Sequence, residues 1–446
     1  MGSPRVLLAG VIAGLFLGMT AAPCFSEESF TDRIVAEGGL GIDVSAARDV
    51  ESKLGQLFIV NVDGFGYSGE LAVLPGYVAM VKKLQVGGVI PHYASHDFQR
   101  IRNTNRALAG LTRLPLLLCA DLVGIESAGK VARFGDGYWG GFIGKFAPLE
   151  DGEFRTLIGL NAFMFAAIGI NTSLGPTVDD STADERTTER ARMVVDALRR
   201  CGIEPVLKHF PFLPTTENLH RASPDTKIPA SDVKRKTAAF RGLLGESEIM
   251  MTTHTFDSLI DGASIVTFSP KWNRVLRQRT GFSGILMSDD LLMLKNYADQ
   301  SVLGEAANGT AVQWAERAIL AGHDFIILAG GASTTYAVFE GLLRVAAGDT
   351  EAGRALRQRI LESYERIKGF KESRGELLTR SFEAPMSDIR SIVSAVPGDT
   401  VSPGFRFSAD QRPQLAAAVA RASVPRPLHA IIGACLRRQF AKLFWE

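Results

Sequence analysis

The sequence has few cysteines for its length, and none of them lie close together. The 446 residues include four, at Cys24, Cys119, Cys201 and Cys435. Zinc ribbons and redox motifs need closely spaced pairs, so this spacing excludes a thiolate zinc site. Unpaired cysteines are common core residues, and we expect ordinary buried or half-buried thiols, with a disulfide left open.

The sequence also lacks an excess of charge of either sign. Its 49 Lys and Arg residues face 48 Asp and Glu residues, which gives a net charge of +1. Without a long basic stripe to neutralise phosphates, we expect no nucleic-acid partner. A hydrophobic content of 46% with 22% charged residues is typical of a globular protein and excludes disorder over most of the chain.

Long apolar runs are absent after the first residues. Arg5 precedes an apolar stretch over 6–20, and small residues follow it up to Ser26. This stretch is shorter than the roughly 20 residues that span a bilayer, so residues 1–26 are interpreted as a signal peptide. An uncleaved anchor is the alternative, and Pro23 disfavours lipidation of Cys24. We therefore expect an exported protein, either periplasmic or extracellular.

Eight short apolar runs alternate with helical patterns along the middle of the chain. They are rich in Val, Ile and Leu, as buried parallel strands are, and are mostly bounded by Gly or Pro. The runs cover residues 55–62, 86–91, 115–120, 170–176, 205–209, 248–253, 284–288 and 324–328. This alternation predicts an α/β fold of the TIM type, a (β/α)8 barrel over 27–345.

Polar residues follow six of these eight runs. Barrel enzymes carry their chemistry at the carboxyl ends of the strands, so the pattern predicts a functional cleft at one mouth of the barrel. The residues at these ends are Asp63, His92, Asp121, Lys208, His209, His254, Asp289 and Asp290.

Residues 346–446 are predicted to form a C-terminal helical extension and tail. Leu356, Ile360, Tyr364 and Ile367 recur at helical spacing within 351–371, which predicts an amphipathic helix packed on the barrel. A last helical stretch over about 428–445 suits docking or contact with a membrane surface, of which we favour docking. We expect a monomer.

The most specific motif is Lys208-His209-Phe210-Pro211, followed by His220 and, two strands later, by Ser288-Asp289-Asp290-Leu291. With Gly87-Gly88-Val89-Ile90, Gly175-Pro176-Thr177-Val178-Asp179 and Met250-Met251-Thr252, these motifs occur in the same order as in a known family. Residues 53–330 resemble the barrel domain of the family 3 glycoside hydrolases. The resemblance is greatest to the single-domain bacterial β-N-acetylglucosaminidases that act on peptidoglycan fragments.

The resemblance implies a retaining β-N-acetylhexosaminidase and gives each reacting residue a role. A retaining glycosidase needs a carboxylate nucleophile and an acid/base group. By resemblance Asp289 is the nucleophile, while Asp290 is expected to cap or support it. His220 is the acid/base, since an imidazole both gives and accepts a proton near neutral pH. Asn218 occupies the position of the aspartate that pairs with this histidine in the family.

The resemblance also implies the residues that bind the sugar. It matches Lys208 and His209, whose cationic and imidazole donors suit hydroxyl recognition, and it further places Asp121, Arg133 and Arg186 in the substrate site. The implied substrate is a carbohydrate, an N-acetylglucosaminide of the cell wall. The implied reaction needs neither a metal ion nor another cofactor.

The loop over 208–220 departs from the family pattern. It lacks the family's glycines, is one residue shorter, and has Asn218 in place of an aspartate. An amide orients an imidazole but does not stabilise its charged form, although Glu217 could supply the charge. The alternative function is therefore a catalytically impaired relative that binds a glycan or a protein partner. A glycosidase of other specificity is a further possibility.

Overall fold

The structure is a computed structural model, and it describes residues 28–37, 42–65, 72–94, 98–120, 158, 162, 165–166, 168–178, 185–211, 237–296 and 309–380. The predicted signal peptide over 1–26 and the predicted helix over 428–445 lie outside these residues, so both stay predictions. The domain boundaries, the membrane contact of the tail and the monomeric state likewise stay predictions.

Eight parallel strands form a closed barrel. Their order around the barrel is β1, β3, β4, β5, β6, β7, β10 and β11, and β11 pairs with β1 to close it. The bounds are Phe58–Phe65 for β1, Gly88–Ala94 for β3, Leu117–Ala120 for β4, Thr172–Ser173 for β5, Glu204–Phe210 for β6, Ile249–Thr252 for β7, Ile285–Asp290 for β10 and Phe325–Leu328 for β11. Each predicted run overlaps one of these strands, so the barrel prediction is confirmed.

Two short antiparallel additions were not predicted. Strand β2 (Ala72–Val73) pairs with the end of β1, and β8 (Phe256–Asp257) forms a hairpin with β9 (Asp261–Ile265) just after β7. Both lie at the carboxyl-end mouth of the barrel, where loops of such folds carry function.

Helices connect most of the strands. Their bounds are Phe30–Ala36 for α1, Val44–Leu54 for α2, Pro75–Leu84 for α3, Phe98–Ala109 for α4, Glu185–Arg200 for α5, Ala238–Gly242 for α6, Pro270–Val275 for α7, Ala311–Ala321 for α8, Ala332–Ala347 for α9, Glu351–Ser373 for α10 and Gly375–Arg380 for α11. Helix α8 shows how the sequence sets such bounds. Thr310 and Gln313 form a capping box at its start, and Gly322 ends it with a φ of 115°.

Strand β10 separates two apolar clusters, because alternate residues of a strand point to opposite faces. Ile285 and Met287 of β10 belong to a large cluster with most of the other strands and helices. Leu286, between them, belongs to a second cluster with Phe240 of α6 and Trp272 of α7. Both clusters are almost fully buried, which explains why the strand sequences are continuously apolar.

Helix α10 covers the amino-end mouth of the barrel. Its Lys371 donates to the Gly87 carbonyl oxygen over 2.7 Å, and its Arg359 lies 2.8 Å from the buried carboxylate of Asp324, which precedes β11. Leu356 and Ile360 are fully buried on the same helix, as its amphipathic pattern predicted. These contacts hold α10 over the amino-end mouth, which lies at the opposite end of the barrel from the polar strand ends.

The two cysteines in the described ranges are free thiols. Cys119 is buried and Cys201 is half-buried, and no disulfide joins the two, as expected of ordinary thiols. No helix in the described ranges is long and apolar enough to cross a membrane.

Candidate active site

Three neighbouring strands bring together the polar residues of the carboxyl-end mouth. Lys208 and His209 lie near the end of β6, and Asp289 lies at the end of β10. Strand β7 runs between these two strands and ends at Thr252, just before His254. Because all three strands are parallel, their carboxyl ends meet at the same mouth.

Both outer strands of this trio carry one extra residue where the polar side chains occur. From Leu207 to Phe210, β6 advances three residues while β7 advances two. From Met287 to Asp290, β10 advances three residues while β11 again advances two. Such bulges interrupt the regular alternation and re-aim side chains, and they are common beside active sites.

Phe210 anchors the end of β6. Its ring packs edge-on against Phe240 at 5.6 Å between centroids and against Trp272 at 6.0 Å. Burial of a phenylalanine side chain stabilises a fold by about 1.5–3 kcal/mol, and edge-to-face packing adds to this. The anchored ring fixes the backbone that presents His209.

His209 and Asp289 approach each other across the mouth. The Nε2 atom of His209 lies 3.9 Å from Oδ2 of Asp289, and both side chains are largely shielded from solvent. Burial alone would raise the pKa of Asp289, but His209 and Lys208, with the backbone N–H of Asp290, lower it below its usual value. Asp289 is therefore ionised at neutral pH.

Asp290 has a different environment from its neighbour. One oxygen of its carboxylate accepts backbone N–H bonds from Leu292 over 3.0 Å and from Ala329 over 2.9 Å, so it ties β10 to the end of β11. Burial and the adjacent Asp289 raise its pKa despite these bonds. The two consecutive carboxyl groups thus have different pKa values, and Asp289 has the lower one.

His254 is fully buried between the ends of β6 and β10. Its Nε2 lies 2.9 Å from the Asp290 carbonyl oxygen, and its Nδ1 lies 2.7 Å from the hydroxyl of Thr267. The sequence singled out His254 only as a rim residue without a role. Its position at a strand end was the one available signal, because its partners are far away in sequence.

The first strand contributes a further carboxylate to this mouth. Tyr77 of α3 donates its hydroxyl to Oδ2 of Asp63 over 2.7 Å. Burial and this carboxylate raise the pKa of the tyrosine, so it remains a neutral donor. This hydrogen bond holds the Asp63 carboxylate toward α3, so the contact with Tyr77 is structural.

Of the eight residues predicted for the site, the structure places the side chains of Lys208, His209 and Asp289, and it brings these three together. His220, Asn218, Asp121 and Arg133 lie outside the described residues. Arg186 lies in the first turn of α5 and His92 lies in β3. The structure describes the backbone of these two residues but not their side chains. The roles of all these residues stay predictions.

The described arrangement combines an ionised carboxylate with nearby cationic and imidazole groups. Such a set can bind sugar hydroxyls through Lys208 and His209 and direct a carboxylate oxygen at an electrophilic carbon. Within the described ranges, no three His, Cys, Asp or Glu side chains converge as metal ligands do.

The chain matches one family model and is similar to known proteins. The family model described as the glycosyl hydrolase family 3 N terminal domain matches residues 49–369. A β-hexosaminidase of Tolumonas auensis is 27% identical over 294 residues, which are 60% of this chain and 82% of that protein. A β-hexosaminidase of Methylococcus capsulatus is 31% identical over 189 residues, or 40% of this chain, and the chain spans only 53% of that relative.

Solved structures are similar in fold. A family 3 β-N-acetylglucosaminidase from a Paenibacillus species matches with a TM-score of 0.59 and 20% identity, covering 83% of this chain and 68% of that one. A β-N-acetylhexosaminidase from Beutenbergia cavernae matches with a TM-score of 0.57 and 20% identity, covering 72% of this chain and 98% of that one.

Proposed function

The chain belongs to glycosyl hydrolase family 3, whose N-terminal domain model matches residues 49–369, and from this premise we propose that it is a retaining β-N-acetylhexosaminidase. The proposed substrates are N-acetylglucosaminides, in keeping with the name of the similar β-N-acetylglucosaminidase from a Paenibacillus species. One observation carries the proposal. Asp289 is a carboxylate kept ionised beside His209 and Lys208 at the carboxyl-end mouth, as a glycosidase nucleophile must be.

The proposed reaction has two steps. An oxygen of Asp289 attacks the anomeric carbon and forms a glycosyl-enzyme while His220 protonates the leaving oxygen. His220 then removes a proton from water, which attacks the same carbon and releases Asp289. Lys208 and His209 hold the sugar hydroxyls during both steps, with Asp121, Arg133 and Arg186 as the other proposed sugar ligands.

A chromogenic N-acetyl-β-glucosaminide tests this proposal. Asp289→Asn should abolish its hydrolysis, because an amide neither attacks nor carries the charge. Asp290→Asn is the matched comparison, since the amide oxygen can still accept the two backbone N–H bonds, and it should retain most of the turnover. Loss of activity in Asp290→Asn with activity retained in Asp289→Asn would reverse the assignment. A rate for the unaltered chain no higher than the blank would refute hydrolysis.

The second candidate is a catalytically impaired family member that binds a glycan. Asn218 favours it, because an amide replaces the carboxylate that would stabilise the protonated form of His220. Titration calorimetry with N-acetylglucosamine distinguishes the two functions. Saturable binding without turnover supports the second candidate.

The proposed location is outside the cytoplasm, and the proposed natural substrates are amino-sugar fragments of the cell wall. The apolar stretch over 6–20 and the small residues that follow it support export. N-terminal sequencing of the secreted chain should find Glu27 first. Incubation with purified peptidoglycan fragments should release N-acetylglucosamine, and release of another sugar alone would change the substrate class.

A further inference from the structure

His254 is a buried histidine that the proposed reaction does not use. Its side chain has no solvent exposure, although it lies under the strand ends that carry the site. Both ring nitrogens have partners, which are the Asp290 carbonyl oxygen and the Thr267 hydroxyl. The charged groups that face it are Asp289, Asp290 and His209. A buried ring with partners on both sides is held in one orientation.

The partners determine where the ring carries its proton. A carbonyl oxygen only accepts, so the Nε2 atom that faces Asp290 must carry a hydrogen. Burial lowers the pKa of His254, so the ring is neutral and its Nδ1 accepts from the Thr267 hydroxyl. The Thr267 hydroxyl has a single hydrogen and also lies 3.0 Å from the Thr253 carbonyl oxygen. In the Nε2–H tautomer of His254 this hydrogen goes to Nδ1 and not to the Thr253 carbonyl oxygen.

The bond from His254 completes a set of hydrogen bonds around Asp290. The Ser288 hydroxyl donates to the Asp289 carbonyl oxygen over 2.8 Å and so fixes the peptide that precedes Asp290. His254 fixes the peptide that follows it. With both peptides held, the Asp290 N–H points at Oδ1 of Asp289 over 2.8 Å.

This set leaves the two oxygens of Asp289 with different surroundings. Oδ1 is bound by the backbone N–H of Asp290, whereas Oδ2 is the oxygen 3.9 Å from His209. A carboxylate with one oxygen bound cannot rotate without losing that bond. Its orientation toward the mouth is therefore coupled to the conformation of Asp290.

We propose that His254 is a positioning residue for Asp289, acting through the Asp290 backbone in its Nε2–H tautomer. The proposal rests on the proposed function, in which Asp289 is the nucleophile. Misplacement of a reacting group by about 1 Å can lower a rate about 100-fold, so a ring that never touches the sugar can still affect turnover. The predicted signature is a loss of kcat without a matching change of KM.

Two substitutions at this position separate positioning from simple packing. His254→Leu fills the space but donates no hydrogen bond, and it should lower kcat at least tenfold with KM within about twofold. His254→Gln places an amide N–H near the position of Nε2, and it should restore most of the lost kcat. Equal losses in both variants would contradict a role for the donor.

His323 provides the matched control. It is also fully buried, but its Nδ1 lies 2.9 Å from the Ala318 carbonyl oxygen and its Nε2 lies 2.8 Å from the Thr252 hydroxyl. His323→Leu should lower the free energy of unfolding while kcat stays within about threefold. A fall of kcat as large as in His254→Leu would mean that any lesion in this region has the same effect.

A spectroscopic measurement decides the proposal even if the chain hydrolyses nothing. Nitrogen-15 spectra of the full chain should assign the Nε2–H tautomer to His254 and the Nδ1–H tautomer to His323, each identified by the signal lost in its Leu variant. The carbon-13 carboxyl signal of Asp289, identified with Asp289→Asn, should titrate at higher pH in His254→Leu than in His254→Gln. An Nδ1–H tautomer for His254, or an unchanged Asp289 titration, would overturn the proposal.

Discussion

The Nε2 atom of His209 and the Oδ2 atom of Asp289 lie 3.9 Å apart, on strands that are separated by β7. This distance exceeds that of a hydrogen bond, so the two groups interact chiefly through charge. The interaction favours the ionised carboxylate. His209 therefore has two proposed effects, which are to bind the sugar and to keep Asp289 ionised.

The pH profile of His209→Phe tests the second effect. The nucleophile must be ionised, so activity falls when the pH drops below the pKa of Asp289. Loss of the imidazole removes an interaction that lowers this pKa, so the acidic limb of kcat/KM should move to higher pH. Lys208→Met should move it in the same direction but by less. An acidic limb at the same pH in all three proteins would contradict the prediction.

The strands and the polar strand ends could be predicted because each is local in sequence. A buried parallel strand is continuously apolar, and the residue after it is the one that reaches the mouth, as with Asp289 after 284–288. The role of His254 could not be predicted in this way. Its partners Thr267 and Asp290 are 13 and 36 residues away along the chain, and only the barrel brings them together.

Glu204 provides a test of stability at the amino-end mouth. It has no solvent exposure, and burial raises its pKa to about 7. Between about pH 4.5 and 7 the folded chain keeps a proton that the unfolded chain has lost, so the free energy of unfolding falls as the pH rises through this window. Glu204→Gln cannot ionise, so its free energy of unfolding should not fall in this window. At pH 8 it should be more stable than the parent by about 1–3 kcal/mol.

Urea unfolding at pH 5 and pH 8 measures the effect of Glu204→Gln. The amide oxygen can still accept the Glu248 N–H, which lies 3.3 Å from Oε1 of Glu204. Glu248→Gln is the control, because it weakens the ion pair with Arg374 on the more exposed neighbour and should give no gain at pH 8. A Glu204→Gln variant that is less stable at pH 8 would show that attraction to Arg374 outweighs burial.

Lys371 should give stability the opposite dependence on pH. It is fully buried, donates to Oε1 of Gln56 over 2.9 Å and to the Gly87 carbonyl oxygen, and burial lowers its pKa to about 7. Between about pH 7 and 10.5 the unfolded chain binds a proton that the folded chain does not, so stability rises with pH in this window. The excess stability of the parent over Lys371→Met should therefore grow by about 1–4 kcal/mol between pH 7 and 10.

Lys368→Met is the control for this measurement, because Lys368 lies on the same helix and its side chain is 41% exposed. Its difference from the parent should stay constant across the same pH range. A constant difference for Lys371→Met as well would mean that its ammonium group remains charged in the folded chain. The sequence could not indicate such a buried lysine, since Lys371 is one of several charged residues on a helix whose apolar pattern ends nearby.

Substitution at position 218 tests whether charge limits the proposed acid/base. Asn218 and His220 lie outside the described residues, so this prediction rests on the family resemblance of the loop. A carboxylate stabilises the imidazolium that forms during proton transfer, and the reverse change in a serine protease lowers turnover about 10⁴-fold. Asn218→Asp should therefore raise kcat for the chromogenic substrate at least tenfold. Glu217→Gln should remove any activity that depends on Glu217 as the substitute charge. No gain in Asn218→Asp, with the parent still active and Glu217→Gln unchanged, would mean that the shortened loop limits the rate.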